Sequence, residues 1–199
     1  TDALYNARDE YIFYNTDHHW TMKGAYIGYS KLCEALGVTA TSMEDYQVVV
    51  GSEEFYGTLY SNAPTFSQKP DEVLLYNNPL GEYTVEYLDE GTVSDSLYNL
   101  DNLEIKDKYT TYLDGNHSII KITSNAVSGD SGKLLVVKDS YAHSLLPLLA
   151  DNYSEIYVVD LRYYHQSVSE LARENGIENI VFINNLDFIS TDNNFLWLY

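Results

Sequence analysis

With 199 residues, 45% of them hydrophobic and 21% charged, the chain has the length and composition of a folded domain with a sizeable core, not of a disordered segment. Asp and Glu number 30 against 11 Lys and Arg, and the resulting formal charge of -19 repels phosphate backbones and anionic lipid, so nucleic acid and membrane surfaces are not expected partners. The single cysteine, Cys33, permits no internal disulfide, and no stretch is apolar for long enough to span a bilayer.

The sequence opens Thr1-Asp2, with neither a starting Met nor a signal peptide, and reads as a piece trimmed at its N-terminus. Tyr11-Ile12-Phe13-Tyr14 has the aromatic and β-branched character of a strand. Met22, Ala25, Tyr26, Tyr29, Leu32, Cys33 and Leu36 then form one apolar helical stripe, with Thr21 as its N-cap and Gly37 where the helix stops. Cys33 belongs to that stripe and is expected in the core. Between strand and helix lies Asp17-His18-His19-Trp20, on the kind of loop where α/β proteins carry their chemistry.

Tyr46 to Val50 reads as a strand ending at Gly51. Residues 52–69 hold Gly57, Pro64, Phe55, Tyr56, Tyr60 and Phe66 with no clean period, the mark of a segment that covers or binds something. Val73–Tyr76 and Tyr83–Tyr87 are short strands joined by a turn over Asn77–Gly81, and Ile119–Ile122 is another. Leu134–Val137 is a continuous apolar run, as in a buried parallel strand, and Ile156–Val159 and Ile180–Ile183 repeat it. Helices fall between them over 142–152, broken by Pro147, and over 166–175, with Val168, Leu171 and Ala172 inward and Gly176 as the stop. The expected architecture is one α/β domain over 1–199. It is a three-layer fold with a mostly parallel sheet, helices on both faces, the Tyr11–Tyr14 strand in that sheet, and an irregular β excursion over roughly 46–125.

Sites in such sheets form at the carboxyl ends of the strands. Asp17 and His19, Asp139-Ser140-Tyr141, Asp160-Leu161-Arg162 and Asn184-Asn185 all follow strands, and together they offer a hydroxyl, an imidazole, a carboxylate, and guanidinium and amide donors. Acyl transfer needs that set. A serine hydroxyl is a weak nucleophile until a base takes its proton, the imidazole needs a carboxylate to fix its tautomer, and the tetrahedral oxyanion needs donors. Each residue also has a plainer role. Asp17 and His19 could cap the following helix, Ser140 could cap the one near Ala142, Arg162 could serve a structural ion pair, Trp20 could be core, and Asn116 could be a turn residue in Asp114-Gly115-Asn116.

Asp17-His18-His19-Trp20 followed by Thr21 and Gly24-Ala25-Tyr26 resembles the signature of the DHHW protein family, and Val137 to Ala142 and Val159 to Tyr164 resemble its two later motifs. The similarity runs from about Tyr11 to the C-terminus. That family is similar to the SGNH hydrolase-like alginate O-acetylation proteins, in which an Asp-x-His-Trp motif precedes the nucleophilic serine in a circularly rearranged order. The resemblance implies Ser140 as nucleophile, His19 as base and Asp17 as orienting acid; His18, next to it, is read from the residues as a packing or supporting residue more readily than as the base. It places Asn184 or Asn185 at the position of the SGNH asparagine, although the Gly-x-Asn-Asp pattern around it is absent. Arg162, Tyr141, Trp20 and Asn116 complete the expected substrate-binding and oxyanion set. The function so implied is O-acetyl transfer or acetyl-ester hydrolysis on carbohydrate at the bacterial cell envelope or outside the cell. It involves no metal or cofactor, a monomeric chain, a carbohydrate substrate and an acyl donor, with any membrane anchor or membrane-bound donor protein outside this sequence.

Two other classes compete. A binding module of the same fold without turnover would use the 20 tyrosines, whose flat faces and hydroxyl edges suit sugars. Thr16-Asp17-His18-His19 also resembles the motif of the DHH metallo-phosphoesterases. That chemistry requires further Asp and His ligands, yet no Asp-x-Asp-Gly precedes the motif, and His117, His143 and His165 have no ligand-like spacing.

Overall fold

A computed structural model describes residues 2–125, 132–191 and 194–199. After a short helix α1 (Asp2–Asn6), the first long element is α2 (Met22–Leu36). The Thr21 side chain accepts from the Gly24 amide, and Gly37 closes the helix in the left-handed region at φ 71°. Its stripe is buried at Met22, Ala25, Tyr29 and Cys33, whereas Tyr26, Leu32 and Leu36 pack on the core only partly covered. Gly24 is required by proximity, since a Cβ there would sit 2.2 Å from the Ile12 carbonyl oxygen. The Tyr29 hydroxyl donates to Asn152 Oδ1 at 2.6 Å, which ties the middle of α2 to the far half of the chain.

The strand expected at Tyr11–Tyr14 does not form. Phe13 and Trp20 make one isolated antiparallel bridge, and the Tyr14 amide donates to the His19 carbonyl, so the segment folds back on itself as a tight loop instead of joining a sheet. β1 (Gln47–Phe55) runs through Gly51, past the expected end, with irregular register on either side of Ser52. It pairs antiparallel with β2 (Asp71–Asn77) in a sheet of their own, with a short helix α3 (Thr58–Asn62) between them. β2 therefore does not form a hairpin with β3 (Tyr83–Tyr87).

The larger sheet has the order β4-β3-β5-β7-β6-β8, with β4 over Thr92–Ser94, β5 over Ile119–Ser124, β6 over Lys133–Lys138, β7 over Glu155–Val159 and β8 over Asn179–Ile183. The β6–β7 and β6–β8 pairs are parallel as expected, but β3–β4, β3–β5 and β5–β7 are antiparallel. The sheet is mixed, not mostly parallel. The difference comes from β3, β4 and β5, which lie within 46–125 and complete this sheet. β5 carries the alternating burial of an antiparallel strand, with Ile120 and Ile122 inward. Both faces of the sheet are covered. Leu134, Val136, Ile156 and Val158 share one cluster with α2 and α4 (Leu146–Leu149), and Leu135, Val137, Tyr157 and Val159 share another with α5 (Val168–Glu174) and the C-terminal residues Phe195 and Trp197. The expected helix over 142–152 is a 3-10 turn followed by α4, divided where Pro147 fits a first turn. A final helix α6 spans Leu186–Thr191.

β8 was expected to be buried, yet Ile180 is 41% and Phe182 49% exposed. It is the edge strand, and an apolar run does not reveal which strand has a neighbour on only one side. The registers Val137↔Val159 and Lys138↔Ile183 bring the carboxyl ends of β6, β7 and β8 level, and this edge carries the candidate site. No described helix is long and apolar enough to cross a membrane. Because Met22 is fully buried at the start of α2, Met22→Ala should lower unfolding free energy by about 2–5 kcal/mol in a denaturant titration, with the native fold retained.

Candidate active site

The loop carrying the motif is held from behind. Asp71, buried on β2, accepts from the Asn15 and Thr16 amides at 3.0 and 2.7 Å, from Thr16 Oγ1 at 2.6 Å and from the Tyr11 hydroxyl at 2.5 Å. With Thr16 fixed, Asp17 points toward α3. Thr58 donates its amide (2.8 Å) and its hydroxyl (3.0 Å) to Asp17 Oδ2, and the His19 amide donates to Oδ1 at 3.0 Å. Gly57 is the residue that permits this approach, since a Cβ there would lie 2.3 Å from Asp17 Cβ.

His19 Nδ1 lies 2.5 Å from Asp17 Oδ1, and its Nε2 lies 2.8 Å from Ser140 Oγ, across 121 residues of sequence. An ionised carboxylate only accepts, so Nδ1 carries the proton and the Nε2 lone pair faces the serine hydroxyl. The ring is clamped by Tyr109, stacked at 3.8 Å between centroids and 8° between planes, and by His18 at 3.9 Å. Ser140 opens the 3-10 turn after β6. Asp139 caps that turn through the Tyr141 amide at 2.9 Å, and its other oxygen accepts the Asn185 amide at 2.7 Å. The structure thus brings Asp17, His19 and Ser140 into one hydrogen-bonded row.

Burial works against charge on Asp17, but the nearby His18 ring, 3.6 Å away, and the hydrogen bonds from His19 and the Thr58 amide outweigh it and hold the carboxyl far below the usual carboxylate range. Burial dominates at His19 and lowers its pKa despite the hydrogen bond and charge of Asp17, so the imidazole is neutral at neutral pH and free to accept a proton. His18, more exposed and bonded to Thr58 Oγ1 through Nδ1 at 2.7 Å, is pushed the other way by Asp17. Asp17, His18 and His19 also bring a carboxylate oxygen and two ring nitrogens within 4.8 Å of one another, a set that could hold a metal ion. In the structure these groups already engage one another, Thr58 and Ser140.

The remaining expected residues divide. Trp20 spends its indole N–H on the Tyr141 carbonyl at 2.9 Å and acts as a brace. The Tyr141 hydroxyl donates to the His18 carbonyl, which joins the two halves of the site. Arg162 binds Asp160 through Nε and a terminal nitrogen at 2.8 and 2.5 Å, and a terminal nitrogen also reaches Asn116 Oδ1 at 3.0 Å. Asn116 arrives there because β5 runs antiparallel to β7, which sets the residues before Ile119 beside the end of β7. Of Asn185 the structure shows the backbone contact to Asp139. Asn184 follows Ile183, whose carbonyl accepts the Asp139 amide, and both atoms of its amide are buried without a partner among the described residues.

Sequence reasoning missed the supports. Thr58 and Gly57 sit in the aromatic 52–69 segment, and Tyr109 in a polar stretch, residues 96–112, with no clear period. Asp71 begins a strand. A buried cluster lies beneath Ser140: Lys138 Nζ is 3.0 Å from Asp160 Oδ2 and 2.7 Å from His143 Nε2. Burial lowers the pKa of Lys138 and lowers that of His143 strongly, and an uncharged His143 can accept the Lys138 proton at Nε2. A lysine ending an apolar strand was the one available signal.

Fold and edge together define an α/β protein in which an Asp-x-His loop meets a serine at the carboxyl end of a central strand. The chain belongs to the DHHW family, whose model (DHHW protein) matches residues 2–159, a span that includes both the Asp17–Trp20 and the Asp139–Tyr141 motifs and stops just short of Asp160. It is similar to the crystal structure of a DHHW family protein from Eubacterium siraeum, with 26% identity and a TM-score of 0.83 over 98% of this chain and 65% of that one. It also shares the fold of Bacillus cereus PatB1, at 23% identity and a TM-score of 0.75 over 96% of this chain and 65% of the other in a structure with a sulfonyl adduct. In a second PatB1 structure the values are 22% and 0.74, over 94% and 66%. This chain spans less than two thirds of the length of each of these solved chains. No curated protein matches it.

Followed by NMR, the two adjacent imidazoles should titrate on opposite sides of the ordinary histidine value of about 6.5, His18 above and His19 below. A His19 ring that titrates above that value would show that the Asp17 charge, not burial, controls it.

Proposed function

We propose that the protein is a serine-dependent acyl-transfer enzyme of the SGNH-like kind, an O-acetyltransferase or acetylesterase acting on carbohydrate at the bacterial cell surface or outside the cell. The observation that carries this reading is the row Asp17 Oδ1, His19, Ser140 Oγ, with contacts of 2.5 and 2.8 Å. Membership of the DHHW family and the fold shared with PatB1 support it.

In this mechanism Ser140 Oγ attacks the acyl carbonyl as its proton passes to His19 Nε2. The imidazolium is stabilised by Asp17, and the carbonyl electron pair moves onto the oxygen. Collapse of the tetrahedral species returns that pair, breaks the bond to the leaving oxygen and hands it the His19 proton, leaving acyl-Ser140. A sugar hydroxyl or water then gives its proton to His19 and attacks the acyl carbon, and collapse breaks the acyl–Oγ bond as His19 returns the proton to Ser140 Oγ. The Tyr141 amide is bonded to Asp139, so we assign the oxyanion to donors elsewhere on this edge: the Asn184 amide, which has no partner among the described residues, and the Arg162 guanidinium that Asn116 and Asp160 hold in place. Transfer and hydrolysis share the acyl-enzyme and differ in how well water is kept from it.

The test is kinetic and chemical. A sulfonyl fluoride, chosen because PatB1 carries a sulfonyl adduct, should modify Ser140, as read by peptide mass mapping. Hydrolysis of 4-nitrophenyl acetate should appear as pH rises through the His19 pKa, because only the neutral ring accepts a proton. Burial of His19 places that rise below pH about 6.5. Ser140→Ala and His19→Ala should each remove most of the rate, and together little more, since the row acts as a unit. Asp17→Asn should leave the fold intact and lower kcat by up to roughly 10⁴-fold through the wrong tautomer. Chelator should change nothing; activity that survives Ser140→Ala and disappears with chelator would overturn this reading in favour of a metal held by Asp17, His18 and His19.

A further inference from the structure

Beside the Asp17 end of the row lies a cleft of about 270 Å³ lined by Tyr56, Gly57, Thr58, Ser61, Lys106 and Asp107. It is smaller than the roughly 300–1,000 Å³ of drug-sized pockets, a scale for one or two rings. Both walls belong to segments that hold the site. Thr58 on one wall bonds Asp17, and residue 109, just past Asp107 on the other, is the tyrosine stacked on His19. Hydrogen bonds link the cleft to the residue next to the nucleophile. Thr58 Oγ1 meets His18 Nδ1 at 2.7 Å, His18 is exposed, and the hydroxyl of Tyr141, the residue after Ser140, donates to the His18 carbonyl.

The lining has a distinct chemistry. Tyr56, half-buried and backed by Tyr60 with ring centroids 4.5 Å apart, brings one aromatic ring with its hydroxyl to the cleft. Thr58 and Ser61 add hydroxyls. Lys106 is the only cation among the lining residues, with Asp107 beside it in sequence. An anionic occupant would meet Asp107, the Asp17 carboxylate behind Thr58 and the field of a chain of net charge -19.

We infer that this cleft is the acceptor subsite and that it takes an uncharged sugar unit, stacked on Tyr56, in preference to a uronate or phosphate-bearing one; the role as acceptor site rests on the acyl-transfer reading above. From here a bound sugar can extend one hydroxyl along His18 and Tyr141 toward acyl-Ser140.

The experiment is an NMR titration of the whole chain with a β-1,4-linked N-acetylglucosamine pentamer and, separately, a galacturonate pentamer at physiological salt. The neutral pentamer should give saturable shifts at Tyr56, Thr58 and Lys106, and the galacturonate should give none at the same concentration. Tyr56→Ala should raise the Kd about tenfold or more, while Tyr56→Phe, which keeps the ring and so controls for folding, should stay within about threefold. Absence of saturable binding by the neutral pentamer, equal binding of the galacturonate, a Kd indifferent to Tyr56→Ala, or shifts centred instead on the hollow at Tyr76, Tyr83 and Pro147 would each overturn the inference. Sulfonyl fluoride labelling of the same sample separates the two claims. Labelled Ser140 without sugar binding removes the cleft and leaves acyl transfer. Sugar bound at Tyr56 with Ser140 unlabelled removes acyl transfer and leaves a sugar site.

Discussion

A carboxylate taken out of water must be fully hydrogen-bonded or it takes up a proton, and the candidate site depends on how Asp17 meets that condition. Its two oxygens receive the His19 amide and ring, the Thr58 amide and hydroxyl. All of these donors come from two short segments, 16–19 and 57–58; the Gly57 amide joins them by donating to Thr16 Oγ1 at 3.1 Å, and a second buried acid, Asp71, anchors Thr16. One acid fixes the loop, and the other, once fixed, orients the imidazole. The Gly57 position shows how tight the arrangement is, because no side chain fits there without displacing Asp17.

The other half of the site is a product of sheet geometry. Parallel pairing of β6 with β7 and β8 levels three strand ends, and antiparallel pairing of β5 with β7 delivers Asn116 to the same edge. Under the Ser140 turn, Lys138 and Arg162 share the Asp160 carboxylate, whose charge their proximity favours against the cost of burial. That floor makes the edge rigid without bonding to Ser140 Oγ. The Trp20 and Tyr141 contacts then lock the two halves to each other. Ser140 is thereby presented by a turn whose conformation is set from both sides.

The local signals were legible where they were chemical or strongly periodic. The Thr21 and Gly37 caps, the α2 stripe and the apolar runs of β6 and β7 appear where periodicity and capping chemistry put them. Asp17, His19 and Ser140 were legible through the Asp17–Trp20 and Val137–Ala142 motifs, although only Ser140 follows a strand, the Tyr11–Tyr14 segment before Asp17 having formed a loop. What the sequence hid was relational. Tyr11–Tyr14 has strand composition but folds back through the Phe13–Trp20 bridge. Nothing in Ile119–Ser124 states that its neighbour β7 runs antiparallel, and nothing in Ile180–Ile183 marks an edge. Thr58, Asp71 and Tyr109 were out of reach for the same reason: each acts through a contact 41 residues or more away in sequence, with no local pattern to mark it.

The central claim is that Ser140 carries an acyl group during turnover, with His19 as its base. It is tested most directly by mixing the protein with 4-nitrophenyl acetate, quenching in acid and mapping the modified peptides by mass. The account predicts one acetyl group on Ser140, formed in a burst before steady-state release and absent from His19→Ala. Turnover of the ester with Ser140 unmodified, or with the acetyl group on another side chain, would contradict it.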